Sequence, residues 1–180
     1  MIATLFVESF QSEEYWSKGG LMIRDNLDDN AAYEAIFVGG GSMEMFSQTR
    51  QVAGEVATMF PQSPRPKFAS HRTWLRLVKQ GNYVTSYHKC DNCTTWERFS
   101  GTDLTFLSDG DFYVGAAVGS LTFDNVVATL SVSNFKVKEL ILAEIGQNGS
   151  PSVVFPLGRC EGDCDSDAEC EVSFEREMTE

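Results

Sequence analysis

Short runs in which apolar and polar side chains alternate, each closed by Gly, Asn, Asp or Pro, recur through residues 1–145 of this 180-residue chain. A period of two marks a strand with one buried face, and it does not fit a helix bundle. The runs predict strands at 2–9, 20–25, 32–38, 43–50, 73–80, 83–89, 95–99, 112–119 and 127–137. In Gly20-Leu21-Met22-Ile23-Arg24, Leu21 and Ile23 share one face while Met22 and Arg24 share the other. Trp74–Lys79 and Tyr83–Lys89 flank Gln80-Gly81-Asn82, whose Gly-Asn pair is a hairpin turn signal. Only Gln51–Met59 reads as helix, two turns of it, before Pro61, Pro64 and Pro66. Short strands with next to no helix predict an all-β fold, a two-sheet antiparallel jelly-roll sandwich in which each sheet buries one face.

Charge is concentrated at one end. The net charge is −12, and between Cys160 and Glu180 nine acidic side chains stand against the single base Arg176. The body is therefore only mildly acidic. That balance argues against a nucleic-acid backbone or an anionic membrane surface as the main partner, since both demand clustered Lys and Arg. No stretch approaches the roughly 18 apolar residues of a membrane span. Met1–Val7 lacks a basic leader and a cleavage site, so it reads as a strand, and a chain opening inside a strand is expected to lack sequence before it. The expected organisation is a sandwich domain at 1–145, a linker at 146–157 around Gln147-Asn148-Gly149-Ser150-Pro151, and an acidic Cys-rich tail at 158–180.

Three ordered stretches carry a family resemblance: Tyr15-Trp16-Ser17-Lys18-Gly19-Gly20-Leu21-Met22-Ile23-Arg24, Thr73-Trp74-Leu75-Arg76-Leu77-Val78-Lys79-Gln80-Gly81-Asn82 and Phe112-Tyr113-Val114-Gly115-Ala116-Ala117-Val118. They resemble the signature stretches of the concanavalin A-like (laminin-G-like) jelly-roll domain of the DUF1349, or regulation of enolase protein 1-like, type. The resemblance spans roughly residues 5 to 138 and implies fold more firmly than activity, because this architecture hosts lectins, glycanases and adhesion modules alike. The family carries further strands ahead of the first stretch, which agrees with an N-terminally truncated sandwich.

Glycanase chemistry in such folds needs two carboxylates, about 5–5.5 Å apart for retention, on one strand face. No strand supplies them: Glu34 and Glu44 are isolated, and Glu161-Gly162-Asp163 leads to Ser at position 166. His71 and His88 are the only histidines, and no Gly-x-Ser-x-Gly elbow accompanies them. No catalytic residue is therefore assigned. For ligand binding, if Leu21 and Ile23 face the core then Arg24 faces a groove, and similar alternation assigns Glu34, Gln48, Arg50, Arg76 and Tyr87 to the same face. Trp16, Trp74 and Trp96 are expected to pack against the sandwich.

Cys90-Asp91-Asn92-Cys93 follows a strand at a hairpin tip and reads as a local disulfide, with zinc shared with His88 or tail cysteines as the alternative. Asp163, Asp165 and Asp167 keep the 1-3-5 spacing of a calcium loop. Ala168 stands where an EF-hand needs Gly, and Phe174 where it needs a ligand, which leaves weak, non-EF Ca2+ binding as the only cofactor expectation. The tail also resembles a Cys-x-Gly-Asp-Cys-Asp-Ser-Asp-x-x-Cys motif of secreted marine microalgal proteins, with the pairing of Cys160, Cys164 and Cys170 left open. The leading expectation is a non-catalytic extracellular recognition module that binds glycan, or a cell-surface or extracellular protein, within a larger secreted or surface protein. The alternatives are a polysaccharide-active enzyme whose catalytic strand lies outside this sequence, and a structural assembly sandwich.

Overall fold

The structure is a computed structural model that describes residues 1–12, 14–39, 44–61, 72–107, 111–119, 127–139, 144–145 and 151–152. Residues Met1–Leu140 make one compact unit, built as two five-stranded antiparallel sheets. The first sheet has the order β10-β1-β6-β7-β8, from β10 (Thr129–Lys138), β1 (Ile2–Gln11), β6 (Thr73–Gln80), β7 (Tyr83–Cys90) and β8 (Glu97–Asp103). The second has the order β5-β4-β3-β2-β9, from β5 (Thr58–Phe60), β4 (Met45–Arg50), β3 (Tyr33–Gly39), β2 (Lys18–Arg24) and β9 (Tyr113–Gly119). The expected all-β, two-sheet sandwich is what forms.

The alternation seen in sequence sets the core. Leu21, Ile23, Ile36, Val38 and Met45 of the second sheet meet Ala3, Leu5, Val7, Leu75, Leu77 and Val84 of the first, and Leu104 and Leu107 join the same cluster. Leu5, Leu21, Leu75 and Leu77 are fully excluded from solvent, a burial worth about 1.5–3 kcal/mol for each side chain. A second cluster, Tyr33, Ala35, Phe37 and Phe46, lies on the opposite face of the second sheet. Both faces of β3 therefore carry buried apolar side chains.

The β6–β7 hairpin closes with Gln80 opposite Tyr83, and Gly81 at φ 56° supplies the left-handed turn residue. The expected helix at Gln51–Met59 does not form. Gly54 at φ 82° stops any helical run, its N–H donates to the Asn30 carbonyl at 2.8 Å, and Thr58–Phe60 joins the sheet edge as β5.

Cys90 and Cys93 are disulfide-bonded, with a Cα–Cα distance of 5.0 Å, so this pair does not serve zinc as thiolates. The bridge closes a very short loop, and its removal in Cys90→Ser/Cys93→Ser is expected to cost about 2 kcal/mol, read as a lowered urea midpoint.

A second unit covers Ile141–Glu180, in which β11 (Glu144–Ile145) pairs antiparallel with β12 (Pro151–Ser152). That pair falls across the expected boundary of domain and linker. Cys160, Cys164, Cys170 and the calcium-loop candidates Asp163, Asp165 and Asp167 lie outside the described residues. Among the described residues no group of three or more His, Cys, Asp or Glu is placed to hold a metal ion, and no helix is long and apolar enough to cross a membrane.

Candidate functional site

The six residues expected to share one groove fall in three places. Arg24, Gln48 and Arg50 do share the outer face of the second sheet. Glu34 does not join them. In the β2–β3 ladder it sits opposite Ile23, while Arg24 sits opposite Tyr33. Directly opposed residues share a face, so Glu34 points between the sheets, where it is fully buried. The error has a physical cause: with Tyr33, Ala35 and Phe37 on one side and Ile36 and Val38 on the other, hydrophobicity along β3 does not say which side is the interior. Arg76 and Tyr87 stand opposite each other on the outer face of the first sheet.

Glu34 is held by hydroxyls from both sheets. Thr49, its neighbour on β4, donates to Oε2, and Ser100 on β8 donates to Oε1 at 3.4 Å. Thr102 also hydrogen-bonds the carboxylate, and its Oγ1 lies 3.5 Å from that of Thr49. Behind Ser100, the Ser86 hydroxyl is bonded to the Ser100 hydroxyl and accepts its N–H at 3.1 Å. Burial pushes the Glu34 carboxyl up to about 7, against the pull of the Thr49, Ser100 and Thr102 hydrogen bonds.

Thr49, Ser100 and Thr102 form the inner wall of a cleft of about 550 Å³ that opens between the edge of one sheet and the edge of the other. Ser47 and Thr49 come from β4, Thr58 and Phe60 from β5, and Arg98 to Thr102 from β8. Phe60 and Phe99 meet edge to face with ring centroids 6.2 Å apart, and Phe60 keeps 55% of its surface exposed. The volume falls within the roughly 300–1,000 Å³ of small-molecule sites. A hydroxyl has one proton and two lone pairs. With Thr49 and Ser100 donating to the carboxylate, Ser86 must donate to Ser100, which leaves one lone pair on Ser100 and those of Thr49 as acceptors in the wall.

On the outer face of the second sheet, Lys18 Nζ donates to Gln48 Oε1 at 2.7 Å and lies 5.7 Å from the Phe37 ring centroid. Burial, and secondarily Arg50, hold the Lys18 ammonium below its ordinary range. The Arg50 guanidinium covers Tyr33 at 5.2 Å and donates to the Asp29 and Ala31 carbonyls at 3.0 and 3.2 Å, while Arg24 donates to the Asp28 carbonyl. These two arginines tie down the 25–32 loop. A smaller hollow of about 240 Å³ beside Arg24 is lined by Met22, Leu27, Tyr113 and Ala117.

The outer face of the first sheet is aromatic and cationic. Trp74 packs on Phe6 with centroids 5.0 Å apart, and Arg76 lies 3.8 Å from the Trp96 centroid. Trp74 and Trp96 thus dress an outer face rather than the core. Trp16 is half exposed and meets Tyr15 edge to face, with ring centroids 5.0 Å apart.

No family model matches the chain, and no curated protein matches it. Among solved structures it is similar to a functionally unknown protein from Saccharomyces cerevisiae, with 14% identity, a TM-score of 0.52, and coverage of 78% of this chain and 70% of that one. At that identity the likeness concerns the fold alone.

Proposed function

We propose that the chain is a glycan-recognition module whose ligand occupies the cleft between β4, β5 and β8. The observation that carries this is the acceptor wall: Thr49, Ser100 and Thr102 converge on buried Glu34, and Ser47, Thr58 and Arg98 extend the polar lining beside the exposed Phe60 ring. Sugars present hydroxyl donors around a ring whose C–H face packs on an aromatic, which matches that mixture. The finer fold reading is a concanavalin A-like jelly roll of the DUF1349 type. It is supported by the three signature stretches falling on β2, on β6 with its turn, and on β9, the first and last being paired neighbours. An extracellular setting, as part of a larger secreted or surface protein, is supported by the Cys90–Cys93 disulfide, since such bonds persist in oxidising compartments.

A glycan array probed with the wild-type chain at pH 8 is expected to retain at least one neutral oligosaccharide. Thr58→Val and Thr102→Val, each removing one polar contact, are expected to weaken that ligand about fivefold. Binding of no glycan, or binding insensitive to both changes, overturns the assignment. A second reading, a polysaccharide-active enzyme with Glu34 as proton donor, draws on the position of that carboxyl near neutrality. Hydrolysis by paired carboxylates needs a second acid, and the described cleft lining contains none. Release of reducing ends from the bound glycan would favour this second reading.

A further inference from the structure

Six of the chain's cations come together on one sheet face although they are scattered through the sequence. Opposed residues on the outer face of the first sheet make a row across all five strands: Lys136 opposite Thr4, Thr4 opposite Arg76, Arg76 opposite Tyr87, and Tyr87 opposite Arg98. At about 4.8 Å per strand the row is about 19 Å long. Lys138, opposite Ile2, extends it on one side. Lys89, opposite Trp74, and Arg72, just before β6, extend it on the other. Glu8 and Asp91 both ion-pair with Arg72, at 2.7 and 3.0 Å, and Asp103 lies at the far corner opposite Tyr83. The row itself, from Lys136 to Arg98, contains no carboxylate.

We propose that this face binds an acidic polysaccharide, one carrying sulfates or uronate carboxylates along an extended chain. Charge complementarity is the first support: a line of fixed cations about 19 Å long suits a polymer with repeated anions better than a single small anion. The aromatic rings decide the class of polymer. Single-stranded nucleic acid is held by bases stacked on open rings. Here Arg76 sits 3.8 Å from the centroid of Trp96, and Lys89 Nζ lies 5.3 and 5.4 Å from those of Trp96 and Trp74. The indoles hold cations in position through their faces, so the surface presents ordered charge rather than stacking platforms. The site is separate from the cleft and does not depend on it, apart from Arg98, which borders both.

The test uses the full chain against heparin, polygalacturonate and, as the neutral control, dextran, by titration calorimetry at 50 and 300 mM salt. Binding to heparin or polygalacturonate but not to dextran is expected, weakening at least tenfold at the higher salt as screening shortens the reach of the charges. Lys136→Glu/Lys138→Glu, at exposed positions, is expected to lose about tenfold in affinity while keeping the β-sheet far-UV circular dichroism spectrum of the folded chain. Thr58→Val in the cleft is expected to leave this binding intact. The proposal is overturned if neither acidic polymer binds at 50 mM salt, if the double variant binds as well as wild type, or if an oligodeoxynucleotide of equal charge binds more tightly than both.

Discussion

Glu34→Gln is expected to remove a single contribution to stability, one that falls by about 2.5 kcal/mol between pH 5 and pH 8 in the wild-type chain. The Glu34 carboxyl titrates near 7 in the folded chain against an ordinary 4.5, because burial disfavours its charged form more than Thr49, Ser100 and Thr102 support it. The folded chain thus binds this proton more tightly than the unfolded chain. Between about 4.5 and 7 the native state carries more protons, so stability is greatest below the lower value and falls as pH rises through the upper one. His88 acts in the opposite sense. Burial lowers its pKa, with Glu97 opposing, so its contribution grows as pH rises toward the ordinary histidine value of 6.5. Subtracting the Glu34→Gln urea curves from wild type at each pH isolates the carboxylate, since His88 is common to both. Parallel pH profiles for the two proteins would show that Glu34 is not held as described.

The second large effect lies in the backbone. Gly20 sits between Phe37 on β3 and Ala117 on β9. A Cβ there would stand 2.2 Å from the Ile36 carbonyl oxygen and 3.0 Å from the Phe37 Cα. Neither atom is the end of a side chain that can swing aside, so β2 and β3 must part. Gly20→Ala is expected to cost about 3 kcal/mol, lowering the melting temperature by about 6–12 °C. Gly115, on the neighbouring strand, has nothing within 4 Å of the added carbon, and Gly115→Ala is expected to fall within about 0.5 kcal/mol of wild type. Gly19→Ala should lie between them, because the atoms it meets at 3.0 Å belong to the side chains of Leu130 and Phe10. Equal melting temperatures for Gly20→Ala and Gly115→Ala would contradict the register of β2 against β3.

What was legible in sequence was local. The Gly81-Asn82 hairpin, the inward Leu21 and Ile23 and the Cys90–Cys93 bridge all follow from residues a few positions apart. What required the fold was anything decided by partners distant in sequence. Val52, Val56 and Met59 recur at helical spacing, yet Gly54 is anchored to Asn30 and Thr58–Phe60 is recruited by β4. Glu34 looked like a groove residue until Ser100 and Thr102, more than sixty positions away, came to it from the other sheet. Its nearest sequence signal was an isolated acid within the apolar Tyr33–Gly39, an arrangement that ordinarily demands a buried hydrogen-bonding partner.

Charge obeys the same limit. A net charge of −12 argues against a nucleic-acid backbone or an anionic membrane surface as the main partner. Lys136, Arg76 and Arg98 nonetheless fall in one row, because strands from residues 2 to 138 lie side by side in the first sheet. Net charge reports on long-range repulsion, while a sheet face reports on contact, and the two need not agree.

Glycan is proposed to occupy the cleft backed by Glu34. Amide chemical-shift mapping tests it most directly, using 15N-labelled chain titrated with the neutral oligosaccharide retained most strongly on the array. The largest shifts are expected at Ser47, Thr49, Thr58, Phe60 and the Arg98–Thr102 stretch. Shifts confined to Arg24, Arg50 and their 25–32 loop, or no shift at saturating sugar, would contradict it.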